Sequence, residues 1–329
     1  MTHVTLGIEE EVFVCEPEVP NLGSLSYLAR LMWSDPRRHY ARTASNFARG
    51  ADLPQGLMSC VEISTGVHDD PEELVDDLAT RRGELGRAIG SRGLVVPLGH
   101  LLQNDAPTNV AALQFHVGTP DRERAYRNLG YALPLLALLS ADSPGACGKR
   151  TGQSYRMARG FAVGPLGDDP TARFQDLIVS KRLGTIEVRV LDPVWDLGRI
   201  RTLARAVRDI ASLESDLPFD RAAYNALRDR VALQGWLPEL EPVHERVSTV
   251  ADIPRPLLTH TAADEVWELY EREGLVQTYS ALDSAWRGGP FEPRAVPPMR
   301  ASLLRSAAGL AGYYVPKFPY VTWKYLKEK

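Results

Sequence analysis

The sequence predicts an α+β fold, and three observations carry that reading. Four short segments alternate apolar and polar residues with the period of two that belongs to β-strands. Longer segments with capped, helical-period apolar stripes lie between and after them. In all four strand-like segments the polar positions carry Glu, Gln, His or Arg, so one face is aliphatic and the other carries chemical groups. A sheet with helices on its aliphatic face and a polar cavity on the other accounts for all three.

The first strand is Leu6-Gly7-Ile8-Glu9-Glu10-Glu11-Val12-Phe13-Val14. Ile8, Val12 and Val14 share one face, and Glu9 and Glu11 share the other with Phe13. Same-face neighbouring carboxylates repel unless a cation sits between them. A lone Glu-x-Glu is more often a solvated acidic face. The alternative is a ligand pair for a hard divalent cation such as Mg2+. Residues 15–55 mix Pro, Gly and an apolar patch, and read as a long connection with a helix near 25–33.

Residues 57–65 form the second strand, with Val61 and Ile63 opposite Cys60, Glu62 and Ser64. The helix after it has Asp69 and Asp70 as cap candidates, Pro71 in the first turn and Glu72-Glu73 at the dipole's positive end. Leu74, Leu78, Leu85 and Ile89 give its stripe, and Gly93 is the expected stop. Residues 94–100 are a short strand ending in a turn at Gly99-His100.

The third strand, 111–118, sets Leu113, Phe115 and Val117 against Gln114 and His116. Residues 121–140 are helical. The apolar run 129–141 is too short to span a bilayer and contains Pro134, so it reads as a buried helix. A loop of turn-forming residues, 141–152, leads to Ser154-Tyr-Arg156. The fourth strand, 184–192, sets Ile186, Val188 and Val190 against Thr185, Glu187 and Arg189. The helix from 197 to about 213 carries Arg199, Arg201, Arg205 and Arg208, read as a solvated face. The remainder is mainly helical, with a Pro-rich break at 290–298 and an aromatic tail at 313–325 that is expected to pack on its own domain.

The net charge of −4 leaves no basic excess to neutralise phosphates, which argues against nucleic acid as a partner. Cys15, Cys60 and Cys147 are far apart and form no Cys-x-x-Cys, so neither a disulfide framework nor a zinc knuckle is indicated. A reducing cytoplasm is the expected compartment, with no membrane association and no cleavable signal peptide. A cavity shared by Glu9, Glu11, Glu62 and Glu187 would be strongly anionic. It would need bound divalent cations or raised carboxyl pKa values to persist. Mg2+ fits better than zinc, since Cys and His are sparse. Arginines on the same faces would grip phosphate or carboxylate.

Gly7-Ile-Glu-Glu-Glu11, Val61-Glu-Ile-Ser-Thr65, Gly99-His100, Gln114-Phe-His-Val-Gly118, Leu138-Leu-Ser-Ala-Asp-Ser-Pro144, Thr151-Gly-Gln-Ser-Tyr-Arg156 and Gly184-Thr-Ile-Glu-Val-Arg-Val-Leu-Asp192 occur in the order seen in the glutamate–cysteine ligase family. From about residue 5 to about 210 the chain resembles the bacterial carboxylate–amine ligase branch of that family. The resemblance implies a fold of the glutamine synthetase-like superfamily: a curved antiparallel sheet forming a half-barrel, with helices on the outer face. It implies one catalytic domain over 1–329, mainly helical after 210.

The activity implied is ATP- and Mg2+-dependent amide formation through an acyl phosphate, with Mn2+ an alternative ion. The donor would be glutamate and the acceptor cysteine or another amine. Carried over by position, Glu9, Glu11, Glu62 and Glu187 resemble the metal ligands. Gln114 stands where many relatives have the first His of His-x-His, and could ligate through its carbonyl oxygen. Arg189 resembles the arginine on the transferred phosphate and Arg156 a second anion clamp. Glu187, Arg189 and Arg156 are thus the catalytic candidates.

Arg156, Arg189, Thr185 and Lys181 are the nucleotide-binding candidates. His100, His116 and Ser154 are assigned to substrate, a structural histidine being the competing reading of His116. Relatives often show Asp-Ile-Arg-Pro before the last strand, where this chain has Asp176-Leu-Ile-Val179, so the amino-acid pocket departs from the pattern. The expected partners are small-molecule amino-acid and amine substrates, with homodimerisation left open. The alternatives are a metal-dependent acyl phosphotransferase and a non-catalytic ATP- or amino-acid-binding homologue.

Overall fold

The computed structural model describes residues 3–15, 42–43, 60–104, 110–159, 163–164, 175–180, 183–296 and a few positions between 304 and 319. The helix expected near 25–33, Lys181 and most of the aromatic tail lie outside the described residues. The strands are β1 (Thr5–Cys15), β2 (Arg42–Thr43), β3 (Cys60–Ser64), β4 (Leu94–Val96), β5 (Leu113–Gly118), β6 (Gly145–Ala146), β7 (Lys149–Arg150), β8 (Leu177–Val179) and β9 (Ile186–Val188). The α-helices are α1 (Pro71–Ile89), α2 (Arg122–Ser140), α3 (Tyr155–Arg159), α4 (Leu197–Ser212), α5 (Arg221–Gln234), α6 (Glu241–Val247), α7 (Arg255–Thr259), α8 (Ala262–Glu273) and α9 (Leu275–Trp286).

The main sheet runs β2-β3-β1-β5-β9-β8, antiparallel throughout. β1 pairs with β3 along one edge. Along the other it pairs with β5 over Thr5 to Glu10 and with β4 over Phe13 to Cys15. Leu6, Ile8, Val12 and Val14 are fully buried on the face that α1 and α4 cover. Burying one such side chain contributes about 1.5–3 kcal/mol. A one-residue slip would drive Glu9 and Glu11 into that core, so the register is pinned.

The same alternation turns Glu10 to the aliphatic face, where it is 0% exposed. It survives there because Arg82 on α1 takes both its oxygens, Nε to Oε2 at 3.0 Å and Nη2 to Oε1 at 2.5 Å. Arg82 also donates to the carbonyls of Trp195 at 2.8 Å and Val194 at 2.6 Å, and the Trp286 indole N–H reaches Glu10 at 3.3 Å. A buried ion pair requires this degree of hydrogen-bond satisfaction.

Local signals set the helices. Asp70 caps α1 by accepting from the Glu72 N–H at 2.9 Å, and Pro71 opens the first turn. The helix stops at Gly90, three residues before the expected Gly93. Gly90 takes φ of 67°, a left-handed conformation open to glycine at little cost, and 90–92 tighten into a 3-10 turn. Asp121 caps α2, whose Leu-rich second half is buried with Pro134 inside it.

The basic residues of α4 correct an expectation: they do not form a simple solvated face. Arg205 reaches Glu72 of α1 at 2.6 Å, Arg201 reaches Asp76 of α1 at 3.4 Å, and the buried Arg199 pairs with Glu265 of α8 at 2.6 Å. β9 is shorter than the expected 184–192. Beyond Val188 the ladder gives way, although the Arg189 N–H still donates to the Asp176 carbonyl at 2.8 Å. Helices α5, α6 and α7 pack on α2, and α9 packs on β4. One apolar cluster extends from Val4 to Trp286. Among the described residues no helix is long and apolar enough to cross a membrane.

Candidate active site

The face of β1, β5 and β9 opposite the helices carries the polar residues. Antiparallel register sets Glu9 beside Gln114, His116 beside Glu187 and Glu11 beside Glu62. A staircase of ligand-type side chains therefore crosses the sheet. Ligand atoms of Glu9, His116 and Glu187 lie within 4.8 Å of one another, a spacing that suits one cation. The His116 Nε2 stands 3.4 Å from Glu9 Oε2, and its Nδ1 stands 3.4 Å from the Thr185 hydroxyl.

Glu11 and Gln114 flank this triad. The Gln114 amide nitrogen donates to Glu11 Oε1 at 3.3 Å, and the buried Gln114 carbonyl oxygen has no hydrogen-bond partner among the described residues. An orphaned buried acceptor beside three converging ligands is what a cation site presents before its ion is bound. Burial pushes the Glu11 carboxyl up to about 7; Arg156 and Arg189 pull it down, and Glu9 pushes it further up. Glu62 sits on the next strand in register with Glu11, one step from the triad.

Two arginines border the carboxylates. Arg189 forms an ion pair with Glu187 from the same strand face. The Arg156 Nη2 donates to the Arg189 carbonyl at 2.6 Å, and its guanidinium feels Asp192, Glu11 and Asp176. Glu9, Glu11, Gln114, Glu187, Arg189 and Arg156 are thus brought to one place, with Thr185 beside His116. His116, assigned from sequence to substrate, stands inside the metal-competent triad.

His100 and Ser154 are placed differently from the expectation. His100 is 0% exposed with its ring 4.2 Å from that of Tyr155. Ser154 is 3% exposed and directs its hydroxyl to Asp192 Oδ1 at 3.0 Å. Both are buried.

Reasoning from sequence missed the groups that back the site. Asp192 closes the motif of the fourth strand, and Asp142 lies in the Asp-Ser-Pro run; both are buried and neither was singled out. Asp176 is held by Tyr224 and Arg228 of α5, each at 2.8 Å, while its backbone carbonyl takes the Arg189 N–H. The departure Asp176-Leu-Ile-Val179 was legible. The partner Arg228, 52 positions later, was not.

Solved structures share this architecture. A glutamate–cysteine ligase from Francisella tularensis, in complex with AMP, superposes with a TM-score of 0.57 at 10% identity, over 95% of this chain and 92% of its own. The chain shares the fold of that protein. A bifunctional glutathione synthetase from Pasteurella multocida superposes with a TM-score of 0.59 at 14% identity, over 87% of this chain. The present chain spans 51% of that protein's length. The expected α+β architecture, an antiparallel sheet with helices against it, therefore holds. No family model matches the sequence, and no curated protein matches it.

Proposed function

We propose that the protein is an ATP-dependent carboxylate–amine ligase that makes an amide bond through an acyl phosphate, with a γ-glutamyl donor as the first candidate. The observation that carries this reading is the meeting of Glu9, His116 and Glu187 with Arg156 and Arg189 on one sheet face. Phosphoryl transfer depends on positioned cations and metal ligands more than on a protein nucleophile. The similarity of fold to a ligase solved with AMP supports a nucleotide in this cleft. The continuous apolar cluster supports one catalytic domain.

Glu9, His116 and Glu187 would hold a divalent cation, with Glu11, Gln114 and Glu62 as further donors in reach of a second. Such an ion supplies charge neutralisation for the phosphates and fixes their orientation. The imidazole nitrogen makes the donor set mixed, which opens it to Mn2+ and other transition ions alongside Mg2+. Arg189, held by Glu187, and Arg156, held by the Arg189 carbonyl, present guanidinium donors to the transferring group.

In the first step a carboxylate oxygen of the donor acid bonds to the γ-phosphorus and the bond to ADP breaks. In the second the amine nitrogen attacks the acyl carbon, phosphate leaves and the nitrogen loses a proton. The net products are amide, ADP and phosphate.

The test is ADP release with Mg-ATP, glutamate and a panel of amines including cysteine, with mass spectrometry of the products. Amine-dependent ADP with a new γ-glutamyl product is the expected result. ADP formed without amine would turn the reading toward an acyl phosphotransferase. No ADP with glutamate or a wider panel of acids would overturn it in favour of a binding protein.

A further inference from the structure

Three stretches of the sequence meet on one buried side chain of a fourth. Asp192 is 1% exposed. Its Oδ2 accepts from the Asp142 N–H at 3.1 Å, the Ser143 N–H at 3.2 Å and the Ser143 hydroxyl at 2.7 Å. Its Oδ1 accepts from the Ser154 hydroxyl at 3.0 Å. The approach of the Gly99 backbone to this carboxylate is so close that any side chain on Gly99 would collide with Asp192 and with the Ser143 hydroxyl. Gly99-His100, Asp142-Ser-Pro144, Ser154-Tyr-Arg156 and Asp192 are thus parts of one buried knot.

What emerges from the knot is Arg156. The Ser154 hydroxyl, fixed by Asp192, accepts the Met157 N–H at 3.0 Å and so starts α3. The Ser143 hydroxyl, fixed by the other oxygen of Asp192, accepts the Arg156 N–H at 3.4 Å. The Ser143 carbonyl takes the Tyr155 N–H at 2.7 Å. The backbone on both sides of Arg156 is therefore tied to one carboxylate, and the guanidinium is tied to the Arg189 carbonyl three residues before it. Asp192 is also the strongest attractive charge acting on Arg156.

We propose that Asp192 is a positioning residue. It fixes the backbone and orientation of Arg156, and through Arg156 the anion-binding end of the cleft, without itself touching substrate. The consequence for catalysis rests on the ligase reading; the placement of Arg156 does not. Burial pushes the Asp192 carboxyl up, while Arg156 and the hydrogen bonds from Ser143, Asp142 and Ser154 pull it down. Four hydrogen bonds accepted by one buried carboxyl fix the geometry of the groups that donate them.

Asp192→Asn is the informative change. With its oxygen in place of Oδ2 the amide still accepts from Asp142 and Ser143, but its NH2 faces the Ser154 hydroxyl, which must give up the hydrogen bond it donated, and the negative charge beside Arg156 is gone. The expected result is a folded protein whose kcat with Mg-ATP falls about 10–100-fold, the usual loss when a group that orients an active-site side chain is removed. KM for the amine should stay within about 2-fold, because the phosphate end alone is disturbed.

A double-mutant cycle then separates positioning from general damage. If Asp192 acts through Arg156, adding Asp192→Asn to Arg156→Ala costs almost nothing beyond Arg156→Ala alone. Losses that multiply, or a rise in amine KM at unchanged kcat, would overturn the proposal. Should Asp192→Asn fail to fold, Ser143→Ala and Ser154→Ala each remove one bond and enter the same cycle. A wild-type protein with no ATP turnover would end the ligase reading only. The crystal structure of Asp192→Asn would still decide the placement, which stands if Arg156 leaves the Arg189 carbonyl and falls if it does not.

Discussion

Three consecutive glutamates on β1 have two different fates. Glu10 points into the helix layer, where Arg82 and the Trp286 indole N–H donate to it, while the carbonyls of Val194 and Trp195 hold Arg82 in place. Glu9 and Glu11 point the other way, toward His116, Gln114 and two arginines, and burial there pushes the Glu11 carboxyl up to about 7. Residue type is the same on both faces. What differs is the surroundings: one guanidinium takes both oxygens of Glu10, whereas Glu9 and Glu11 stand among further carboxylates, an imidazole and an amide. The back face is a closed structural contact, and the front face is an open one.

The largest effect should come from opening the closed face. Arg82→Ala leaves Glu10 in the core without its counter-charge and frees the carbonyls of Val194 and Trp195. Breaking such a pair costs about 3–5 kcal/mol, a large share of the about 5–15 kcal/mol that holds a typical domain. Urea melts should show the loss directly. Replacing both partners, as in Glu10→Leu with Arg82→Met, should recover much of it. If Arg82→Ala cost under about 1 kcal/mol, the range for an exposed pair, the contrast between the faces would collapse.

On the open face, Glu187→Gln should do the reverse. It removes one ligand of the triad and the partner of Arg189, yet it also relieves repulsion among carboxylates. The fold should survive by circular dichroism, while ATP turnover drops by about 100-fold or more, comparable to deleting one strong transition-state contact. Turnover within a few fold of wild type would remove Glu187 from the metal site and leave Glu9 and His116 without their third ligand.

The two faces were not equally legible in the sequence. The period-two pattern of β1, β3 and β5 revealed the aliphatic face and the positions of Glu9, Glu11, Gln114 and His116, because alternation is a local property of the chain. Asp70, Pro71 and Asp121 marked helix starts for the same reason. Glu10 and Arg82 lie 72 positions apart, and nothing in either neighbourhood announces the other. Asp192 was hidden differently. It stands in a quoted motif, yet its role needs Gly99, Ser143 and Ser154 folded onto it, and turn-rich loops carry no periodicity from which that could be read. Burial was the missing quantity for His100 and Ser154: a polar residue beside a motif looks the same whether it faces a cleft or a core.

The smallest and most diagnostic effect is the pH dependence of cation binding. The folded pKa of Glu11 rises from 4.5 to about 7, chiefly through burial. A raised carboxyl pKa means that the folded, metal-free protein holds a proton that the unfolded chain has released. This stabilisation is complete below about 4.5 and is lost as pH climbs through about 7. A cation reverses the preference, because ligation needs the ionised carboxylate. Mn2+ affinity should therefore climb by up to about tenfold per pH unit below 7 and level off above it, with about one proton released per ion in the sloping range. Calorimetric titrations in buffers of different ionisation heat measure both quantities. Glu11→Gln should flatten the slope while Glu10→Gln leaves it in place. If the affinity were flat with pH in the unmodified protein, Arg156 and Arg189 would already hold Glu11 ionised. The open face would then be closed by its own arginines, as Glu10 is by Arg82.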